Sequence, residues 1–323
     1  MTAKRSEIAP AAGFPSRGWA YYVQNYILVI VLCLICALTG WIEPRFLSAS
    51  NLESLARQLV PLAIAAVGQS FVVIGGGLDL SVAAIMSLAG VVGILTMTEY
   101  GMTAGIAAMI LTGLLGGLAN GILIGYLRTT PLIITLGMLS IAQAIALMLS
   151  NGVPIYSVPD QFVELFGFGD ILGVPISLLI GCLVLIAGGV ILKFTILGRY
   201  VYAIGSSRSA AEKSGIDVRL ITAITYVVSG ISAGLVAIVM TSWVGAAQPT
   251  AAPSLTLESI AAIVLGGVAL TGGSGSILNV LLGVVMLGTL SNALNMMGVS
   301  SYFQMLTIGL VIILAVSLDR LRS

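Results

Sequence analysis

Apolar runs long enough to cross a membrane fill almost the whole chain, and one long polar stretch interrupts them: Lys193 to Arg219, KFTILGRYVYAIGSSRSAAEKSGIDVR. It carries five of the thirteen basic residues, Lys193, Arg199, Arg208, Lys213 and Arg219. Basic residues concentrate in short loops kept on the cytoplasmic side, so this stretch orients everything around it. Inside it, Ser209-Ala210-Ala211-Glu212 has capping-box spacing and Gly215 stands where a left-handed residue would close a helix. The pattern predicts one short cytoplasmic helix over 209–214. A helix of that length is marginal alone in water and needs a protein surface to lie against. The stretch is therefore either the docking point for a partner or only a topology signal.

With 59% hydrophobic and 8% charged residues and a mean hydropathy of +1.14, the chain falls far below the roughly 25% charge of soluble domains. It reads as an integral membrane protein. The net charge of +1 follows loop position and forms no basic patch for nucleic acid. Cys33, Cys36 and Cys182 all fall in apolar spans. Cys33 and Cys36 form a C-x-x-C, but an apolar helix disfavours the thiolate that metal or redox chemistry needs, so packing is their expected role.

The first span runs from Trp19 to Trp41, about 33 Å at the helical rise, with aromatic residues at both ends. It follows a polar tail, 1–18, and lacks an evident cleavage site, so it reads as an uncleaved first helix with a cytoplasmic N-terminus. Further spans are expected at 59–75, 80–98, 103–126, 131–149, 173–193, 220–243, 256–272, 276–296 and 302–318, about ten in all, before a cytoplasmic tail at 319–323. This threading places eleven basic residues inside and only Arg45 and Arg57 outside. Merging 59–98 into one helix changes the parity and ranks second.

Glycines are patterned as well. Gly117, Gly121 and Gly125 recur every fourth residue, as do Gly230 and Gly234, which marks close helix packing where lipid supplies no hydrophobic drive. The outward segment from Asn151 to Pro175 carries Asp160, Glu164 and Asp170 and is either a docking surface for an extracytoplasmic partner or a plain connection.

Two glycine-rich breaks interrupt the spans. Gly75-Gly76-Gly77-Leu78-Asp79-Leu80-Ser81 contains the one acidic residue placed well away from a confident loop. Asp79 or Ser81 is a candidate cap for the following helix; an ionisable residue at membrane depth is equally a candidate for function. The second break holds Gly272, Gly273 and Gly275. A shift of 196 residues superposes Ile64-Ala65-Ala66-Val67 on Ile260-Ala261-Ala262-Ile263 and Gly76-Gly77 on Gly272-Gly273, a weak internal repeat. Paired breaks of this kind point to a translocation route lined by Gly75, Gly76, Gly77, Asp79, Ser81, Gly272, Gly273 and Gly275.

The chain has no His and no H-E-x-x-H, so neither a histidine-based triad nor that zinc site can form, and an enzyme is not expected. The phosphate-binding G-x-x-x-x-G-K-[ST] is absent too, so ATP hydrolysis would belong to a partner chain. No cofactor or metal is expected.

The stretches IGGGLDLSVA, TPLIITLGM, AIGSSRSAAEKSGI, GGVALTGGSGS and NALNMMGVSSYFQM resemble, in order, ABC-transporter permeases of the monosaccharide (ribose-type) family. The resemblance implies an all-α polytopic bundle in a bacterial inner membrane, with glycine-broken helices forming a single domain over 19–318. It implies a second permease, a periplasmic solute-binding protein, and an ATPase subunit meeting the loop 193–219 at Gly205, Ser209, Ala210, Ala211, Glu212, Lys213, Ser214 and Gly215. Ala83-Ala84 and Ser274 depart from the family pattern, which often has Val-Gly and a basic residue there. The expected function is the translocation subunit of an importer for a simple sugar. The alternatives are an ion-coupled secondary transporter using Asp79, an uncoupled channel or scaffold, or a family member for a nucleoside, a furanose signal or a branched-chain amino acid.

Overall fold

The computed structural model describes residues 19–322, with side chains from residue 28 to residue 313 except 312. The tail 1–18, with Lys4, Arg5 and Arg17, lies outside the described residues. The main helices are α1 (Trp19–Ile42), α2 (Ala49–Ile74), α3 (Val82–Tyr100), α4 (Met102–Gly121, continued by a π turn over Ile122–Tyr126) and α5 (Pro131–Leu149). After the single turn α6 (Asp160–Phe162) come α7 (Ile176–Phe194), α8 (Ile196–Ser206), α9 (Arg208–Lys213), α10 (Val218–Val244), α11 (Leu255–Leu265), α12 (Ile277–Met296) and α13 (Ser301–Arg322). Among the described residues, seven helices are long and apolar enough to cross a membrane, and α11 and the described parts of α1 and α13 are shorter apolar helices. The chain is an all-α polytopic membrane protein.

Helix α2 is the central post. Every residue from Val60 to Ile74 is buried, and α2 packs against α7, α10, α11 and α12. Its outer end is fastened by a reciprocal amide pair, Asn51 Nδ2 to Asn292 Oδ1 at 3.0 Å and Asn292 Nδ2 to Asn51 Oδ1 at 3.2 Å, which joins α2 to α12. By contrast α5 and α7 turn Ile133, Ile141, Leu183 and Ile186 outward, the apolar surface that lipid requires. Cys33 and Cys182 lie on such exposed faces, and Cys36 is partly covered.

The glycine spacing is explained by the α4–α10 contact. A Cβ at Gly121 would lie 2.6 Å from the Ala223 carbonyl oxygen, one at Gly125 2.6 Å from that of Arg219, and one at Gly230 2.7 Å from the Gly117 Cα. The two backbones touch because no side chain stands between them.

The spans differ from expectation at their ends. Helix α2 begins ten residues before 59, because Ser48 caps it by accepting from the Asn51 amide at 3.3 Å. The span expected at 256–272 stops at Leu265, where Gly267 is left-handed with φ +78° and closes the helix. The tail expected from 319 continues as α13 to Arg322. The segment 151–175 is folded down onto the bundle: Ile155 and Ala247 form a β-bridge, Arg57 Nη1 donates to the Gly167 carbonyl at 3.0 Å, and Phe162 is fully buried.

Replacing Gly230 by Leu should force α4 from α10 and cost at least about 1–3 kcal/mol. The detergent-solubilised protein should melt at a lower temperature. Gly137→Ala, at a site with nothing within 4 Å, should leave melting unchanged.

Candidate functional site: a junction of two helix breaks and α8

Both breaks are built the same way. At the end of α2, Gly76 is left-handed with φ +81°; its N–H donates to Val73 O at 2.9 Å, and Gly77 N–H donates to Val72 O at 2.9 Å. At the end of α11, Gly267 N–H donates to Val264 O at 2.8 Å and Val268 N–H to Ile263 O at 3.0 Å. These are paired Schellman closures, which satisfy carbonyls that hydrocarbon would leave bare. The structural counterpart of Gly76 is thus Gly267 and not Gly272, so the 196-residue register is offset from the helix ends.

Gly272, Gly273 and Gly275 instead form an extended connector with φ of +89°, +78° and +142°. It lies against the first break. Gly273 N–H donates to the Ile74 carbonyl at 2.8 Å, and a Cβ at Gly272 would fall 2.9 Å from Gly76 Cα and 3.0 Å from Gly205 Cα. Gly205 on α8 is wedged between the Ile74 carbonyl and the Gly273 amide, closer than any side chain permits. Tyr202, one turn earlier, donates from its hydroxyl to Gly275 O at 2.8 Å. Burial pushes its phenol above the usual range, which keeps it a donor. Three segments far apart in sequence therefore meet backbone to backbone.

Helix α9 follows at once. Its N-cap is Ser207, whose Oγ accepts from the Ala210 amide at 3.3 Å, so Ser209 sits within the helix and the capping box expected at 209–212 does not form. Gly215, with φ +82°, closes the helix as a left-handed residue: Gly215 N–H meets Glu212 O and Ile216 N–H meets Ala211 O, both at 3.1 Å. Only Ala211 is buried; Ser209, Ala210, Glu212, Lys213, Ser214 and Gly215 are exposed. Arg128, which follows the α4 π turn, reaches Glu212 at 3.6 Å, an exposed pair of small energetic worth.

Asp79 is fully buried beside this junction. Its Oδ1 accepts from the Ser81 amide at 3.0 Å and the Ser81 hydroxyl at 2.5 Å, and its Oδ2 accepts from Ser229 Oγ on α10 at 2.8 Å. Asn120 of α4 donates to Ser81 Oγ at 2.9 Å, Gln69 of α2 donates to the Asp79 carbonyl at 2.5 Å, and Tyr226 donates to Leu78 O at 3.2 Å. The carboxylate thus joins the start of α3 to α10, while Gln69 and Asn120 tie the same turn to α2 and α4. Neither Asp79 nor Ser81 reaches solvent, so in this conformation they brace the break and do not line an open route. Gln69, Asn120, Ser229 and Tyr202 carried no motif in the sequence; they are polar residues whose role emerges only from the neighbours that folding brings.

Residues 51–316 match the family described as the permease component of the branched-chain amino acid transport system. The chain belongs to this permease family. It is similar to the ribose import permease protein RbsC of Escherichia coli K12, 35% identical over 310 residues that cover 94% of this chain and 97% of the relative. The RbsC of Bacillus subtilis 168 is 37% identical over 305 residues, 94% and 92% of the two chains. The D-allose transport system permease protein AlsC of Escherichia coli K12 is 34% identical over 309 residues, 94% of each chain. No solved structure matches. The chain is accordingly a multi-pass inner-membrane permease component of an ABC importer and not an enzyme, with ATP hydrolysis on a separate subunit.

Asp79→Asn keeps one oxygen to accept from Ser81 and sets an amide N–H opposite Ser229, whose hydroxyl can turn to accept it, so ATP-driven uptake and protein yield should stay near those of the parent. Asp79→Ala strands the Ser81 and Ser229 hydroxyls and the Ser81 amide, each costing about 1–3 kcal/mol, and should lower yield and melting temperature. Uptake abolished in the Asn variant at parental yield would instead assign the charge a direct role in transport.

Proposed function

We propose that this chain is the permease of a binding-protein-dependent importer for a simple sugar, working as a pair with a second permease copy or paralogue. The sugar class rests on the ribose and allose permeases it is similar to. The family description, which names branched-chain amino acids, keeps a non-sugar solute as the second reading. Ten membrane segments are proposed, the seven long helices with α1, α11 and α13, with both termini cytoplasmic. In that orientation Arg128, Lys193, Arg199, Arg208, Lys213 and Arg219 face the cytoplasm, as the positive-inside rule requires.

The observation that carries the coupling part is the seating of Gly205 between the two helix breaks, directly before an exposed α9. We place the ATPase contact on the exposed side of α9, at Ser209, Ala210, Glu212 and Lys213. A push there reaches both breaks through α8 without crossing a flexible side chain. The folded segment 151–175, whose hairpin tip exposes Leu172, is the proposed contact for the periplasmic binding protein. An ion-coupled mechanism finds less support, because among the described residues the Asp79 carboxylate hydrogen-bonds only to Ser81 and Ser229, which form no relay to another carboxylate.

In proteoliposomes, uptake should require the ATPase subunit and ATP; uptake driven by an ion gradient alone would contradict the proposal. Ala210→Arg should lower co-purification of the ATPase several-fold while the permease inserts normally, since Ala210 is exposed and Ala211, only 3% exposed, must be left alone.

A further inference from the structure

One carboxylate lies inside the span expected at 256–272. Glu258 stands in the first turn of α11 and has no hydrogen bond or ion pair among the described residues. Two adjoining cavities, of about 190 Å³ and 430 Å³, both include Glu258, Ser291 and Ile308 in their walls. The smaller is also walled by Pro61 of α2 and Gly288 of α12. Pro61 is the thirteenth of the 26 residues of α2, and Gly288 is the twelfth of the 20 of α12. Trp243, the twenty-sixth of the 27 residues of α10, walls the same cavity, so Glu258 stands between the middle of α2 and α12 and the end of α10.

An unpaired carboxylate at that depth is costly against hydrocarbon, so this wall faces water or protein and not lipid. Its companions differ from those on the outward faces of α5 and α7. Ser254 and Ser291 offer hydroxyls around Glu258, Gln304 adds an amide whose Nε2 donates to Val299 O at 2.8 Å, and Trp243 supplies an aromatic surface in the smaller cavity. A carboxylate, an amide, hydroxyls and an indole in an otherwise apolar cavity match the chemistry of a neutral polyhydroxylated solute: hydroxyls donate to the carboxylate and C–H faces lie on the ring.

Resting on the importer reading above, we propose that the wall formed by α11, α12 and α13 around Glu258 lines the solute route, with Glu258 accepting hydrogen bonds from sugar hydroxyls as the solute passes. The charge of Glu258 is then retained for contact with the solute, and the side chain has no structural partner to lose when it is changed.

The test uses the assembled complex with its ATPase and binding protein, supplied with labelled D-ribose, D-allose or L-arabinose. Glu258→Gln should lower uptake of the transported sugar about tenfold, the scale of one charge-assisted hydrogen bond, while assembly and binding-protein-stimulated ATP hydrolysis stay at parental levels. Parental uptake by this variant overturns the proposal. A second measurement does not depend on transport: Ser254→Cys, in a chain with Cys33, Cys36 and Cys182 replaced, should react with a hydrophilic thiol reagent and be protected by D-ribose, D-allose or L-arabinose presented with the binding protein. An unreactive thiol, or one that no sugar protects, overturns it. Absence of ATP-driven uptake of any of these sugars by the parent complex would count against the sugar-importer reading itself, while the thiol reaction would still decide whether the wall is wet.

Discussion

A single backbone hydrogen bond, from the Gly273 amide to the Ile74 carbonyl at 2.8 Å, holds the two helix breaks of this permease together. A broken helix leaves carbonyls without an intrahelical partner, and they must be satisfied by other groups. Each break first closes its own helix with a left-handed glycine, Gly76 or Gly267, and then leans on the other. Gly205 completes the contact, and its missing side chain is what lets α8 lie flat on both. The junction thus ties helices α8 and α9 to the end of α2 and to the α11–α12 connector.

The surroundings of the junction are rigid for separate reasons. Asp79 spends both carboxylate oxygens on serines from two helices, and a buried polar group so fully bonded fixes the start of α3 against α10. Alongside it, α4 and α10 meet through glycines with no side chain to yield. Helix α8 meets this frame at the connector 268–276 through Tyr202 and Gly205. The wall around Glu258 lies at the far end of α11 from that connector, so a shift of the connector bears on the helix that carries the carboxylate.

Much of this was legible beforehand. Apolar length and the placement of basic residues gave the class and the main spans, and four-residue glycine spacing marked the α4–α10 contact, because both signals are local and periodic. The glycine triplet at 75–77 announced a break for the same reason. What the sequence withheld was every feature defined by distant partners. Gly267 rather than Gly272 ends α11, since several glycines in a row do not say which one turns left-handed. Ser207 took the cap from Ser209 because the helix began where α8 stopped. Nothing in the pattern around Glu258 announced that it would share a cavity with Pro61 and Gly288, nor did Gln69 and Asn120 announce that they would close around Asp79 and Ser81.

The most direct test of the junction's role is the coupling ratio, solute taken up per ATP hydrolysed, in the reconstituted complex carrying Gly205→Ala. A methyl at that position meets the Ile74 carbonyl and the Gly273 amide, so α8 must lift from both breaks while α9 keeps its exposed surface for the ATPase. The junction mechanism predicts a complex that assembles and still hydrolyses ATP but moves little solute. A parental coupling ratio in that variant would contradict it.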